Sequence, residues 1–370
     1  MALVPFHRFV QAITVQIEPV LERTGYFFFP GRDRSRTVRL LAYAGYRNAD
    51  EVRIRGRVVR YRKALDAGEG FWTRFRAMME IYNSHEVPGI TIRLEGYGHV
   101  LETRTDHDGY FTFSFPPDRA LPSETSWEHV TLSTPEAAMQ QPSASVPVLA
   151  PGTGIGWGII SDIDDTVIET GATNFIKNWR RVLVDRPSDR LAVPGASTLY
   201  KMIAGDHVAP VRPFFYVSSS PWNLYGFLTE FMELNSIPHG PMFLTDYGID
   251  RDKFIKPSHT RHKLAAIQAI LDFYPDLKFL LIGDNGQDDV EIYARAAGAY
   301  PDRVGAVFIR DVNGNCRAGA TGERLAEIEA EGIPVFCGSG FDDALATVKT
   351  LNFKRPIEAA KAVAQASKTA

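Results

Sequence analysis

Ile159-Ile160-Ser161-Asp162-Ile163-Asp164-Asp165-Thr166-Val167-Ile168 decides how this chain is read. Trp157 to Ser161 reads as a buried apolar strand, and it empties directly into three carboxylates. Three acids beside a strand end cost heavily to desolvate unless a cation or hydrogen-bond donors compensate. Hard oxygen ligands select a hard divalent ion, magnesium first. Asp162 and Asp164, two positions apart, both reach one site if the strand ends between them. One carboxylate can then act as nucleophile while the other handles a proton. A solvated acidic loop is the bland alternative for this string taken alone.

Strands and helices alternate beyond this point. The pattern predicts helices over 196–204, 223–234, 260–273 and 289–297. It predicts strands over 213–217, 242–245, 278–282, 306–309 and 334–337, with one more helix between the last two. Such alternation implies α/β architecture: a parallel sheet with helices on both faces and its site at the carboxyl ends of the strands.

Two other strand ends carry chemistry. Phe214-Phe215-Tyr216-Val217-Ser218-Ser219-Ser220-Pro221-Trp222 ends an apolar strand in hydroxyls. Pro221 suits a first helical position with Ser220 as its cap, and a helix start of that kind attracts anions. Leu280-Leu281-Ile282-Gly283-Asp284-Asn285-Gly286-Gln287-Asp288-Asp289 ends in acids, with Gly283 and Gly286 allowing a tight turn. Asp288 or Asp289 could instead merely cap the next helix. Lys263 opens a helix 21 residues before Asp284, where an ammonium would neutralise crowded carboxylates. A helix lysine is more often solvated, and Lys256 competes for the role.

In order, these elements resemble the haloacid dehalogenase superfamily across about residues 156–351. Asp162-Ile163-Asp164-Asp165-Thr166 is similar to its first motif, Ser218 to the second, Lys263 to the third, and Gly283-Asp284 with Asp288 to the fourth. More closely, these stretches resemble the catalytic domain of the actin-patch-type phosphatidate phosphatases, relatives of the lipins. Asn285 departs from the serine expected there. The resemblance implies a Rossmann-like parallel sheet with a small cap insert. It also implies magnesium-dependent conversion of phosphatidate to diacylglycerol and phosphate through an aspartyl-phosphate. Asp162 would be the nucleophile and Asp164 the acid and base. Ser218, Ser219 and Lys263 would hold the phosphate; Asp162, Asp284 and the backbone carbonyl of Asp164 would hold Mg2+, with Asp288 supporting that metal shell. Thr166 would orient the loop, and Asp165 would be structural.

About 25 residues separate Ile168 from Val193, too few for a closed lid, which suits a large substrate or one presented on a surface. Within that insert Phe175, Ile176, Trp179, Val182 and Leu183 fall at helical spacing with Lys177, Arg180 and Arg181 interleaved. This pattern fits docking on anionic lipid, and equally a helix packed on the core with a charged outer face.

The first half reads as β-rich. Val52-Arg53-Ile54-Arg55-Gly56-Arg57-Val58 alternates apolar and basic, and 38–43, 90–94 and 110–115 are further strands, while 70–81 is helical. The expectation is a β-sandwich, with Thr105 to Phe113 resembling the strand-turn-strand of carboxypeptidase-regulatory-like modules. The basic run from Arg53 to Lys63 reads as a solvated strand face, or as an anionic-surface contact. Residues 135–156 are rich in Pro, Ser, Ala, Gly and Gln, a linker or final irregular strand. The expected domains are 1–147 and 148–354, with 355–370 a tail.

The 370 residues, 45% hydrophobic, suffice for two cores. Lys+Arg 41 against Asp+Glu 44 gives no basic field for nucleic acid. Cys316 and Cys337 lie far from any CxxC spacing and read as free thiols in a reducing compartment. No signal peptide or transmembrane run is read, so the expected location is the cytoplasm, with any membrane contact peripheral. The alternatives are a phosphatase for another large or soluble phosphomonoester and, in a different class, a non-catalytic lipid- or protein-binding module.

Overall fold

The computed structural model describes residues 36–62, 85–135, 143–168, 193, 195–204, 212–245, 259–342 and 344–351. The helices expected over 70–81 and 174–183, Lys256 and the tail from 355 lie outside these residues.

The chain is an α/β protein whose described residues build two sheets. Its first half contributes β1 (Arg36–Ala42), β2 (Gly45–Arg47), β3 (Val52–Arg62), β4 (His85–Glu86), β5 (Thr91–Gly96), β6 (His99–Arg104), β7 (Tyr110–Phe115), β8 (Ser126–Ser133) and β9 (Ser143–Ala150). These nine form one network in the order β1-β3-β2-β9-β8-β5-β6, with β4 and β7 paired to β3. The pairs are antiparallel except β2 with β9. The segment read as linker or irregular strand is thus β9, in register with β8 through Ser126 opposite Ala150.

The second half contributes β10 (Trp157–Ser161), α1 (Ala196–Ala204), β11 (Phe214–Pro221), a 3-10 turn (Trp222–Leu224) and α2 (Tyr225–Leu234). Then follow β12 (Met242–Thr245), α3 (His259–Phe273), β13 (Lys278–Asp284), α4 (Asp289–Ala299), β14 (Val304–Arg310), α5 (Gly319–Ala330), β15 (Val335–Gly338) and α6 (Ala344–Thr350). The six strands run parallel in the order β12-β11-β10-β13-β14-β15. Alternating residues on each strand enter opposite cores, because successive strand side chains point to opposite faces. Ile159, Phe214, Tyr216, Leu280, Ile282 and Phe308 meet α1, α2 and α6 on one face. Ile160, Phe215, Val217, Phe279, Leu281 and Ile309 meet α3, α4 and α5 on the other. That two-sided burial is why these strands read as unbroken apolar runs. β10 lies centrally between β11 and β13, where the strand order reverses. A crevice at the carboxyl ends is the geometric consequence of such a reversal.

Two sequence expectations are corrected here. The cysteines are not free: Cys316 bridges Cys337, with Cα atoms 6.6 Å apart. β14 and β15 are parallel neighbours with Ile309 opposite Cys337, and the loop after β14 folds back so that Cys316 N donates to Asp311. A separation of 21 residues therefore conceals contact.

Nor is the basic run of β3 solvated throughout: Arg60 is exposed, but Arg53, Arg55 and Arg57 pack on aromatic rings. The Arg53 guanidinium lies 4.5 Å from the Phe273 ring centroid. Arg55 lies over Tyr110 at 4.5 Å and Trp222 at 5.1 Å, and Arg57 over Tyr110 at 4.6 Å. Tyr43 stacks on Trp222 at 4.2 Å, Tyr46 packs against Phe215, Phe243 and Phe273, and Asn48 Nδ2 donates to Phe273 O. Contacts of this kind contribute about 0.5–2 kcal/mol each, so together they hold the two halves in a fixed relation. Among the described residues no helix is long and apolar enough to cross a membrane.

Candidate active site

β10 releases Asp162 where the chain leaves the sheet, and the Asp162 N–H still donates to Ile282 O of β13 at 2.8 Å. The following turn is tight. Asp165 adopts φ 58°, its N–H donates to Ile168 O, and Asp164 bridges to Ile168. A non-glycine residue there costs about 1–3 kcal/mol and persists only when its surroundings fix it. Arg310, at the end of β14, supplies one fixing contact: Nη1 donates to the Asp165 carbonyl at 2.8 Å.

Four expected groups converge on this turn. Lys263 of α3 is buried, with Nζ 2.7 Å from Asp162 Oδ1. Ser218 Oγ donates to Asp164 Oδ2 at 2.7 Å, and Ser220 Oγ approaches the same oxygen at 3.2 Å. Asp284 ends β13, its Oδ1 accepting from Gly286 N at 2.6 Å and Gln287 N at 3.2 Å. Thr166 Oγ1 lies 3.4 Å from both Asp162 Oδ2 and Asp284 Oδ2. Ser219 is half-buried between its two neighbours.

Three placements differ from expectation. Asp288 is exposed and accepts from Thr260 Oγ1 at 2.5 Å, whereas Asp289 is fully buried with Oδ1 2.7 Å from Lys263 Nζ. Among the described residues the carboxylates of Asp162, Asp284 and Asp289 lie within 4.8 Å of one another. The Asp164 carboxylate, expected as acid and base, engages the serines. Ser220 does not cap a helix, because β11 continues through Pro221 and its hydroxyl turns to Asp164. Gly283 works by close approach rather than by turning the chain. A Cβ there would lie 2.7 Å from both Asp289 Oδ2 and the Tyr293 hydroxyl. Glycine at that position is what lets Asp289 rise against the end of β13.

Sequence reasoning missed Asp289 although a signal existed. Asp289, Ile292, Tyr293 and Ala296 follow helical spacing and share the buried side of α4. Asn285, the departure from the expected serine, ties Asp284 to the next loop: Nδ2 donates to Asp311 Oδ1 at 2.7 Å, and Oδ1 accepts from Val312 N.

The electrostatics favour a cation. Burial, then the neighbouring Asp289 charge, push the Asp162 carboxyl well up and that of Asp284 up to about 7. Burial also raises Asp164, against the opposing Ser218 hydrogen bond. Burial alone would lower the Lys263 ammonium, but Asp162 and Asp289 hold it above its ordinary value. One ammonium among three close carboxylates leaves the cluster short of positive charge. An oxygen-only donor set of that kind fits a hard divalent ion such as magnesium.

A stability consequence follows for metal-free protein. Asp162 and Asp284 titrate higher folded than in the unfolded chain, where aspartate lies near ~3.9. The folded state therefore binds more protons across that interval, and stability falls as pH rises. In chelator, melting temperature is expected to drop from pH 5.5 to pH 8, and magnesium to restore more of it at pH 8. A flat profile in chelator would contradict this assignment.

Residues 157–311 match the family model described as the catalytic domain of phosphatidate phosphatase APP1. The phosphatidate phosphatase APP1 of Saccharomyces cerevisiae is 33% identical over 190 residues, 51% of this chain and 31% of that protein. An uncharacterized protein of Schizosaccharomyces pombe is 30% identical over 217 residues, 56% of this chain and 34% of its own length. The chain thus spans about a third of the length of these relatives. A carbohydrate acetylesterase structure from Xanthomonas citri aligns with TM-score 0.28 and 10% identity, covering 79% of this chain and 65% of that one. A likeness at that score carries no argument about fold.

Proposed function

From the membership of residues 157–311 in the APP1-type phosphatidate phosphatase family, we propose that this chain hydrolyses phosphatidate to diacylglycerol and phosphate. One observation carries the reading: Asp162, Asp164, Ser218, Lys263, Asp284 and Asp289 converge at the ends of β10, β11 and β13, with Lys263 bridging Asp162 and Asp289.

Asp162 attacks phosphorus while the bond to the glycerol oxygen breaks, giving an aspartyl-phosphate. Asp164 gives its proton to the leaving alkoxide. Burial pushes the Asp164 carboxyl up, the direction that favours a general acid. Water then attacks the phosphoryl group, Asp164 takes back a proton, and Asp162 leaves. Ser218 and Ser220 keep Asp164 in place, and Lys263 orients Asp162 while offsetting charge on the phosphoryl oxygens. Asp162, Asp284 and Asp289 would hold magnesium, which when bound supplies charge neutralisation at the attacking carboxylate and the phosphoryl oxygen.

The same proposal takes the parallel sheet as a haloacid-dehalogenase-type core with a small insert and the first half as a β-sandwich. Because β9 continues to Ala150, the proposed boundary moves from 147 to about residue 150. Membrane contact is proposed as peripheral.

Phosphate release from phosphatidate in mixed micelles, with magnesium and with chelator, tests this. Metal-dependent release is the expected result. Release only from a soluble aryl phosphate would keep the chemistry and replace the lipid by another phosphomonoester. Release from neither substrate would end the phosphatase reading.

A further inference from the structure

The end of β11 that carries the two serines is held by its own sheet only in part, through Pro221 opposite Thr245 and Ser220 N donating to Ser218 Oγ at 2.9 Å. Pairing of β10 with β11 ends at Ser161 opposite Tyr216. The β11–β12 register breaks between Val217 and Pro221. Neither the 3-10 turn nor α2 has a side-chain hydrogen bond at its N-cap. Yet Ser218 and Ser220 must hold Asp164 to within a few tenths of an ångström for proton transfer to be efficient.

The residues that follow β11 are contacted from the N-terminal sheet. Directly after Pro221, each of four consecutive residues from Trp222 to Tyr225 is in the turn or opens α2, and three of them are gripped from the first half. Trp222 is stacked by Tyr43 and faced by the Arg55 guanidinium, itself against Tyr110. Asn223 Oδ1 accepts from Arg57 Nη1 at 3.0 Å, while Arg57 Nε donates to Asp108 O at 2.9 Å. The Tyr225 hydroxyl accepts from Ala44 N at 2.9 Å, and its ring lies 4.7 Å from that of Tyr43. Arg57 is buried between Asp108 and Asn223, so it ties the 106–109 turn of the sheet to the turn of the catalytic half.

We infer that the N-terminal sheet is a clamp on the serine loop, and that Tyr43, Arg55 and Arg57 are positioning residues for the reaction. They act through Trp222, Asn223 and Tyr225 on Ser218 and Ser220, and through these on Asp164. The inference rests on the phosphatase reading. It assigns the first half a part in the chemistry without contact to substrate, and it explains why a basic strand faces inward.

The test uses the full chain and the position where a conservative rescue exists. Asn223→Leu removes the acceptor for Arg57, and Asn223→Asp keeps one. On both phosphatidate micelles and a soluble aryl phosphate, with magnesium, Asn223→Leu is expected to lower kcat about tenfold and leave KM within about twofold. Asn223→Asp is expected to stay within about twofold of wild type. Tyr43→Leu should repeat the kcat loss from the other side of the clamp. Wild-type kcat in both Asn223→Leu and Tyr43→Leu, even with a lower melting temperature, would reduce these contacts to structural ones and overturn the inference. So would a change confined to KM.

Amide hydrogen exchange separates this failure from failure of the phosphatase reading. Amides of 218–225 are expected to exchange about tenfold faster in Asn223→Leu, with those of β13 unchanged, whether or not any substrate turns over. Unchanged exchange in the loop would sink the clamp by itself.

Discussion

Asp162→Asn is expected to lower kcat for phosphate release at least about 10^4-fold while leaving melting temperature unchanged or raised. The first half of that expectation follows from chemistry. An amide oxygen is a far weaker nucleophile than a carboxylate, and removing a nucleophile costs most of an enzyme's rate advantage. The second half follows from the surroundings. Asp162 is buried, its carboxyl is pushed up by burial and by Asp289, and Asn is nearly isosteric. Replacing it removes one of three crowded carboxylates, and Lys263 still has Asp289 at 2.7 Å. Activity assayed beside thermal unfolding separates the two. Loss of activity with loss of folding would make Asp162 structural, and retained activity would move the nucleophile elsewhere.

Much of the parallel sheet was legible because burial on two faces writes itself into sequence as unbroken apolar runs. Ile159-Ile160, Phe214 to Val217 and Leu280 to Ile282 were found for that reason, and the acids and hydroxyls stood at their ends. Lys263 was harder. It shares helical spacing with Ala266, Ile267, Ile270 and Leu271, all buried, so it belongs to the inner side of α3 rather than to solvent. The spacing was there; what it could not supply was the pair of carboxylates waiting at the other end. Asp288 and Asp289 differ by one position, and which of them turns inward depends on where β13 stops and α4 starts. Gly283 decides that by leaving room for Asp289.

The contacts between the halves were not legible, and the reason is general. An arginine alternating with apolar residues looks the same whether its guanidinium meets water or an aromatic ring. Arg53, Arg55 and Arg57 meet Phe273, Tyr110 and Trp222, and Phe273 and Trp222 lie more than 160 residues away in sequence. The cysteine bridge was hidden in the same way, behind the register of β14 against β15.

Lys263→Met is expected to give the largest loss of stability in the catalytic half, because it leaves Asp162, Asp284 and Asp289 facing one another without their ammonium. Breaking a buried pair by removing one partner costs about 3–5 kcal/mol. In denaturant unfolding with chelator, that loss should be full near pH 8 and smaller near pH 5.5, where the raised carboxyls of Asp162 and Asp284 take up protons. Magnesium should recover much of the stability, since a divalent charge replaces the missing one. It should not recover the rate, because Lys263 orients Asp162 and offsets phosphoryl charge; kcat is expected to stay about 10^2–10^3-fold down. Removing an ammonium whose place was purely structural would give a different result: magnesium would restore stability and rate together. If Lys256 were the lysine of the reaction, Lys256→Met would lose the rate and Lys263→Met would lose only stability. The two variants, each measured with and without magnesium, therefore separate charge balance from catalysis at this one position.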